Sequence, residues 1–353
     1  MAGRSAIGLD IGTSGVRAAE LSFGKGQVTL NRFGQVALPD GAVRDGEVID
    51  VEAVAQAIRQ LWAHTKFSGK KVVIGVSNQK VVVRQVDLPY LPMPELKKSL
   101  AFQVQDYIPM PVEHAVLDFY PLEEVSGSHG DRVLRGLLVA ASREMVLNAV
   151  HAVQKAGLTP TTVDLSSFAV LRSLGGTDQL GVNGEVQALV DIGAKVTNIV
   201  VHESGVPRFI RILLMGGQDL TESVAERAGV PVQQAEALKQ QMGLQADGAV
   251  NDPTPAVRAL ETGASALLDE IRGSLDYYMA SSGSSPIRRL ILTGGGSRLN
   301  GFAARLSQAT RLEVVAGNPL ASLEVGRTGL SPEQISFVEP LAVVPVGLAL
   351  GVA

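Results

Sequence analysis

One motif occurs twice, and the distance between the copies constrains the chain more than any other feature. The first copy is Asp10-Ile11-Gly12-Thr13-Ser14-Gly15-Val16-Arg17, at the end of an apolar run that begins at Ala6. The second is Asp191-Ile192-Gly193-Ala194-Lys195-Val196-Thr197-Asn198, after the apolar run that begins at Ala188. Asp191 follows Asp10 by 181 residues (191 − 10), and Gly193 follows Gly12 by the same interval (193 − 12). Each copy reads as a strand ending in Asp, a glycine turn and a returning strand, over residues 16–21 and 196–202, which is a β-hairpin. Two such hairpins in two halves predict a duplicated domain with a cleft between the lobes.

The rest of the chain alternates strands and helices, which points to an α/β fold with helices packed on a mostly parallel sheet. Residues 71–76 form a buried-strand run. Residues 51–62 form a helix with Val51, Val54, Ala55, Ile58 and Leu61 on one face. Residues 290–293 form a short strand running into Gly294-Gly295-Gly296, followed by a helical stretch at 299–309. At 353 residues the chain exceeds the size of a single core, so two or more domains are expected.

Two stretches stand apart. The first, about 88–158, opens on Pro89, Pro92 and Pro94, and has Leu96, Leu100 and Val104 at helical spacing over 95–107. Strands at 116–120 and 133–141 flank a soft turn at 126–130. A helix at 142–156 follows, with Ser142 at its N-cap and Gly157 beyond its end. The second stretch, about 218–285, is helix-rich at 220–228, 232–242 and 255–281, with a polar loop at 245–252.

Composition narrows the chemistry. A net charge of −4 offers no basic stripe for nucleic acid, and 0 cysteines exclude a disulfide scaffold and thiolate metal sites. Asp10 interrupts the apolar N-terminus too early for a signal peptide. The longest uncharged stretch, 340–353, is too short to cross a membrane and is broken by Pro345 and Gly347, so it reads as a buried C-terminal helix. The expectation is a cytoplasmic protein that reaches a membrane only through a partner.

The repeated motif suits a metal-bound polyphosphate. Glycines let backbone N–H groups close on phosphates. Thr13, Ser14 and Thr197 can add hydroxyl donors, and Arg17 and Lys195 can supply positive charge. Magnesium is commonly held by one or two carboxylates plus water and phosphate. A single Asp-x-Gly reads equally as a hairpin turn; the matched pair shifts the reading to phosphate and metal work. Gly294-Gly295-Gly296 alone is a tight turn or a close ligand approach. Neither a dinucleotide fingerprint nor a P-loop is present, no Gly-x-Ser-x-Gly elbow occurs, and His64, His114, His129, His151 and His202 form no paired ligand motif.

In their order and spacing the two hairpins and the late glycine strand resemble the phosphate 1, phosphate 2 and adenosine motifs of the actin, Hsp70 and sugar-kinase superfamily. Within it, the chain resembles the PilM family of actin-like proteins of type IV pilus machines, relatives of FtsA. The narrower resemblance rests on four segments: 88–97 with 105–111, Val163 to Ala169, Met215 to Thr221 with Ala235 to Lys239, and Pro345 to Gly351.

That resemblance implies an actin-like ATPase fold with two duplicated lobes. Subdomain 1A would take 1–87, 161–185 and 317–353; an inserted 1C would take 88–160. Subdomain 2A would take 186–217 and 286–316, and a helical 2B would take 218–285. ATP and magnesium are the implied cofactors. Asp10 and Asp191 would hold the metal. Gly12, Thr13, Ser14, Gly193 and Thr197 would cradle phosphates, with Arg17 and Lys195 beside them. Gly294, Gly295 and Gly296 would approach the adenosine, and Glu236 and Lys239 would flank ribose and adenine. The first connecting motif holds Ser166 and Ser167, with Asp164 its sole carboxylate, which implies weak or absent hydrolysis. The implied partner is the short N-terminal tail of a PilN-like inner-membrane protein, in a groove placed near residues 77–108. Self-association stays open, and a small-molecule kinase of the same superfamily is the alternative.

Overall fold

The computed structural model describes residues 4–126, 131–175, 184–245, 254–281 and 285–352. Residues 127–130 of the soft turn, with His129, and residues 246–252 of the polar loop lie outside the described residues.

The first half begins with β1 (Arg4–Ile11), β2 (Gly15–Phe23) and β3 (Val28–Ala37), an antiparallel meander. A tight hairpin follows, β4 (Val43–Arg44) and β5 (Glu47–Val48). Its corner residues Asp45 and Gly46 both have positive φ, the conformation a two-residue hairpin turn requires. Helix α1 (Val51–Thr65) starts at Asp50, whose carboxylate accepts the N–H groups of Glu52 and Ala53 at 3.0 and 2.9 Å. It buries Val54, Ala55, Ile58 and Leu61, the face expected from the spacing.

After β6 (Lys71–Val76) the chain leaves the lobe for β7 (Val81–Pro89), α2 (Met93–Gln103), β8 (Ala115–Ser126) and β9 (Arg132–Ser142). The three strands form their own sheet, ordered β7-β9-β8. Helix α2 is shorter than its periodicity predicts. It stops at Gln103, and a single 3-10 turn at Gln105–Tyr107 continues it, because Pro109 and Pro111 force extended backbone just beyond. Leu96, Leu100, Val104, Phe119 and Leu138 close a separate small core there. The chain rejoins the lobe through α3 (Arg143–Lys155) and β10 (Thr159–Leu165), and α4 (Ser166–Leu174) leads out of it. Ser142 stands at the N-cap of α3 but its hydroxyl makes no capping bond.

The second half repeats the plan. β11 (Val186–Ile192), β12 (Thr197–Glu203) and β13 (Val206–Leu213) form the meander. Three helices follow: α5 (Gly217–Ala228), α6 (Val232–Met242) and α7 (Pro255–Ala280). Then come β14 (Ile287–Thr293), α8 (Phe302–Thr310), β15 (Glu313–Ala316) and β16 (Glu324–Val325). The chain ends in α9 (Pro332–Val338) and α10 (Val343–Leu350).

The sheet orders make the duplication explicit. One sheet runs β10-β6-β1-β2-β3-β16 and the other β15-β14-β11-β12-β13. In both, the central strand pairs antiparallel with its hairpin partner and parallel with a strand arriving from a helix. Strands β1 and β11 are buried almost throughout because both faces are covered, hence their unbroken apolar runs. Helices α4 and α10 pack together between the sheets, over a core that includes Ala169, Val170, Leu189, Val200, Val344 and Leu348. The uncharged C-terminal stretch is this buried helix α10. Among the described residues no single helix is long and apolar enough to cross a membrane.

Candidate functional site: the cleft between the lobes

The turns β1–β2 and β11–β12 face one another across a cavity of about 1170 Å³. Its walls hold Asp10, Gly12, Thr13, Ser14 and Arg17 from the first hairpin and Asp191, Gly193 and Lys195 from the second. Glu236 and Lys239 come from α6, and Gly294, Gly295 and Gly296 from the turn after β14. The structure thus brings thirteen predicted site residues to one cavity.

Thr197 is the exception, and its placement corrects the expectation. It is fully buried, and its hydroxyl donates to the Met215 carbonyl at 2.7 Å, off the cavity wall. Successive strand residues face opposite sides, so its neighbour Asn198 lines the cavity instead.

The glycines are there for backbone proximity. Gly294 has φ of 85°, and a β-carbon there would meet Ile192 backbone and the Asp191 carboxylate. A β-carbon on Gly296 would meet the Ile192 side chain, and one on Gly12 would come within 3.1 Å of the Arg17 guanidinium. In the turn after β14, glycine at 294 and 296 is what lets the backbone close on the second hairpin.

The electrostatics of the cavity are those of a cation site. Burial pushes the Asp191 carboxyl up to about 7, and the negative charge of Asp10 adds to the rise. Burial also raises Asp10, partly offset by the Arg17 guanidinium at 3.6 Å. A carboxylate raised by burial and by its neighbour's negative charge is favoured in its ionised form by a counter-charge beside it. Arg17 reaches Ser14 at 3.3 Å, but its Nε is buried with no hydrogen-bond partner. Among the described residues no cluster of three or more His, Cys, Asp or Glu side chains could hold a metal. A divalent ion here would rest on the two aspartates, with water and a polyanion completing its shell. Magnesium accepts that arrangement, so the donor set fits a magnesium-polyphosphate.

The cations of the second lobe are more constrained. Lys195 donates to Asp219 at 2.9 Å and to Glu222. Burial pulls its ammonium down, but those carboxylates outweigh burial and the net shift is upward. Lys239, buried, donates to the Gly217 carbonyl at 2.9 Å and the Thr221 hydroxyl at 2.7 Å, and pairs with Glu236 at 2.7 Å. Burial raises the Glu236 carboxyl, but hydrogen bonds from Lys239, Thr221 and Gln240 leave it lowered. Glu236 and Lys239 therefore form a rigid polar edge.

Several cavity residues escaped sequence reasoning. Asp40, Arg44 and Asp45 come from the β3–β5 connection, Ser77 from the end of β6, and Gln218 and Thr221 from α5. The Asp45-Gly46 turn pair was a readable hairpin signal, but nothing local says which cavity the hairpin overhangs. In the connecting motif, Ser166 lines the cavity, whereas Asp164 does not; it is ion-paired with Arg172.

A second cavity, of about 540 Å³, lies between the three-stranded insert and α4. Val116, Asp118 and Tyr120 of β8 form one side, and Asp164, Phe168 and Arg172 the other. Gly205 and Pro207 from the β12–β13 turn reach its rim. Tyr120 and Phe168 stack with centroids 5.7 Å apart. Residues 77–108 do not line it. Their helix α2 packs on β8, and Phe102 on that helix is 80% exposed.

With this geometry in hand, known proteins provide the frame. The solved structure of a PilM-PilN type IV pilus biogenesis complex is 29% identical, covers 98% of both chains and has a TM-score of 0.86. The cell division protein FtsA of Bacillus subtilis is 24% identical over 266 residues, 67% of this chain. The chain spans 58% of the length of that FtsA. MreB5 of Spiroplasma citri bound to AMPPNP shares the fold, with a TM-score of 0.53 at 12% identity, over 98% of this chain and 95% of its own. The family described as type IV pilus assembly protein PilM matches residues 8–352. Duplicated sheets, a helical pair between them and an insert after β6 are therefore one member's version of a shared plan: the chain belongs to the type IV pilus assembly protein PilM family.

Proposed function

We propose that this protein is an ATP-binding, actin-like component of a type IV pilus assembly machine, and that it docks a PilN-like membrane protein by its N-terminal tail. The observation that carries the nucleotide half is the meeting of Asp10 and Asp191 in one cavity, each ahead of its own glycine turn.

In this reading Asp10 and Asp191 are the residues that would hold magnesium. Such an ion would supply positive charge beside the two carboxylates. Gly12, Thr13, Ser14 and Gly193 cradle the phosphates, with Arg17 and Lys195 alongside. The Glu236–Lys239 edge and Gly294, Gly295 and Gly296 enclose the nucleoside. Thr197 acts behind the wall by holding the Met215 carbonyl. Residues 88–160 serve as the partner-facing insert 1C, and 218–285 as the helical subdomain 2B.

For the tail, we assign the apolar cavity between the insert and α4 in place of the 77–108 region. It is large enough for a few extended residues, and its Tyr120–Phe168 pair offers aromatic contact. Docking there would hold the protein at the inner face of the membrane. The family match favours this reading over a small-molecule kinase.

Titration calorimetry of magnesium-ATP into the wild type and into an Asp10→Ala, Asp191→Ala variant tests the nucleotide half. Binding by the wild type and its loss in the variant is the expected result; equal affinity would sink it. A fluorescent peptide of a PilN-like N-terminal tail, titrated into the protein, tests the other half: saturable binding is expected, and no binding would sink it.

A further inference from the structure

We infer that Asn198 is the positioning residue of the Asp191 carboxylate and that the same amide fastens the two lobes together. The inference rests on the reading of Asp191 as a magnesium-holding residue and adds a residue to which that reading gives no role.

Asp191 and Asn198 are register partners across β11 and β12. Both are buried, as is Ser167. Asn198 Nδ2 donates to Asp191 Oδ2 at 3.3 Å. Its Oδ1 accepts from the Ser77 hydroxyl at 2.7 Å and the Ser167 hydroxyl at 2.9 Å. An ionised carboxylate only accepts, so the amide must turn its NH2 to Asp191. Its oxygen then faces the two serines, which must both donate and which fill its two lone pairs. The amide has one orientation, and Asp191 is held by it.

The three partners belong to three bodies. Ser77 follows the last residue of β6 in the first sheet, Ser167 lies in the first turn of α4, and Asn198 sits in the second sheet. The site needs a donor and an acceptor on one short side chain. Aspartate would set a like charge against Asp191. Alanine would strand two buried hydroxyls and remove the donor from Asp191.

The test compares ATP affinity in excess magnesium with ATP affinity in EDTA, for the wild type, Asn198→Ala and Ser167→Ala. Outer partners of metal-holding residues typically matter by about tenfold or more in metal affinity. Asn198→Ala is therefore expected to weaken ATP binding about tenfold in magnesium and leave it unchanged in EDTA. Ser167 does not line the cavity, and Ser167→Ala is expected to give a smaller loss of the same magnesium-dependent kind. It carries the test if Asn198→Ala fails to fold. Equal losses with and without magnesium, or none, overturn the inference and leave the nucleotide reading standing. A wild type that binds no ATP overturns both.

Discussion

Gly347 on α10 lies against the Ala169 carbonyl on α4 so closely that a β-carbon at 347 would overlap it. Gly8 on β1 meets the same helix from the other side, near the Pro345 carbonyl. The C-terminal helix is thus wedged between the first sheet and the connecting helix by two glycines. Gly347→Ala forces backbone apart in a packed core and is expected to cost about 3 kcal/mol, the upper range for overpacking. Gly273→Ala on the exposed face of α7, where a β-carbon meets nothing, should instead add about 0.5–1 kcal/mol through better helix propensity. Urea unfolding of both variants checks the pair of signs.

Magnesium-ATP should stabilise the wild type against heat. At a hundredfold excess over Kd the gain is about 2.7 kcal/mol. Asp191→Asn removes one of two buried carboxylates and should abolish that shift. It should also melt above the wild type when neither protein holds ligand, because the charge that burial opposes is gone. Differential scanning fluorimetry with and without ligand reads both effects; a ligand shift retained in the variant would count against the metal assignment.

Turnover should be slow. The carboxylate of the connecting motif, Asp164, is tied to Arg172 outside the inter-lobe cleft, and the motif presents Ser166 to that cleft. A serine hydroxyl is a weak general base at neutral pH. Phosphate release below about 1 per second is expected, under the ordinary enzyme range. A coupled phosphate assay returning rates within that range would contradict the expectation.

For the tail cavity, Tyr120→Ala removes one face of the aromatic pair with Phe168. Tyr120 is 46% exposed, so the fold should tolerate the change. Loss of one well-placed aromatic contact typically weakens an interface by about 2 kcal/mol, or roughly thirtyfold. Phe102→Ala on exposed α2 should leave tail affinity unchanged. Fluorescence anisotropy with the labelled tail peptide separates the two; the reverse ranking would move the groove back to residues 77–108.

His202 gives the fold an acid limit. Burial pushes its imidazole down to about 4 from an ordinary 6.5. Its Nδ1 accepts the Gly205 N–H at 3.2 Å, so the neutral form carries its proton on Nε2, which has no partner. The folded-state value is depressed, so the unfolded chain binds the extra proton. The contribution is whole above pH 6.5 and is lost as pH falls toward 4. The loss is on the order of 3 kcal/mol over that window. His202→Asn keeps an acceptor for Gly205 without a titrating group. It should lose less stability between pH 7 and pH 5 than the wild type in denaturant titrations.

What could be read in the residues was local, repeated or both. The Asp-x-Gly pairs at 10–12 and 191–193 located both sides of the cleft because the same turn chemistry recurs at one interval. The amphipathic spacing of α1 set its buried face. Asn198 was not legible in its role, since its partners Ser77 and Ser167 are 121 and 31 residues away and meet it only in space. Thr197 and Asn198 differ by one position, and which of them faces the cavity depends on where β12 begins. The tail groove proposed between the insert and α4 was not readable for a related reason. The insert was recognisable from its prolines and apolar spacing, but the face of β8 that meets α4 follows from the tertiary turn of the insert. The early stop of α2 was available from Pro109 and Pro111.

Strand β6 and the start of α4 form the boundary between the two cavities, and that boundary is one residue thick. Gly75 and Ser77 face the cleft while Val76 faces the groove; Leu165 faces the groove while Ser166 faces the cleft. A bulkier side chain on either side has no slack backbone behind it to absorb the push. The two compartments therefore cannot be remodelled independently. Across relatives, a change of volume at 76 or 165 should be answered by a compensating change at 75, 77 or 166, so that whatever fills one cavity and whatever fills the other leave a joint imprint on five neighbouring positions.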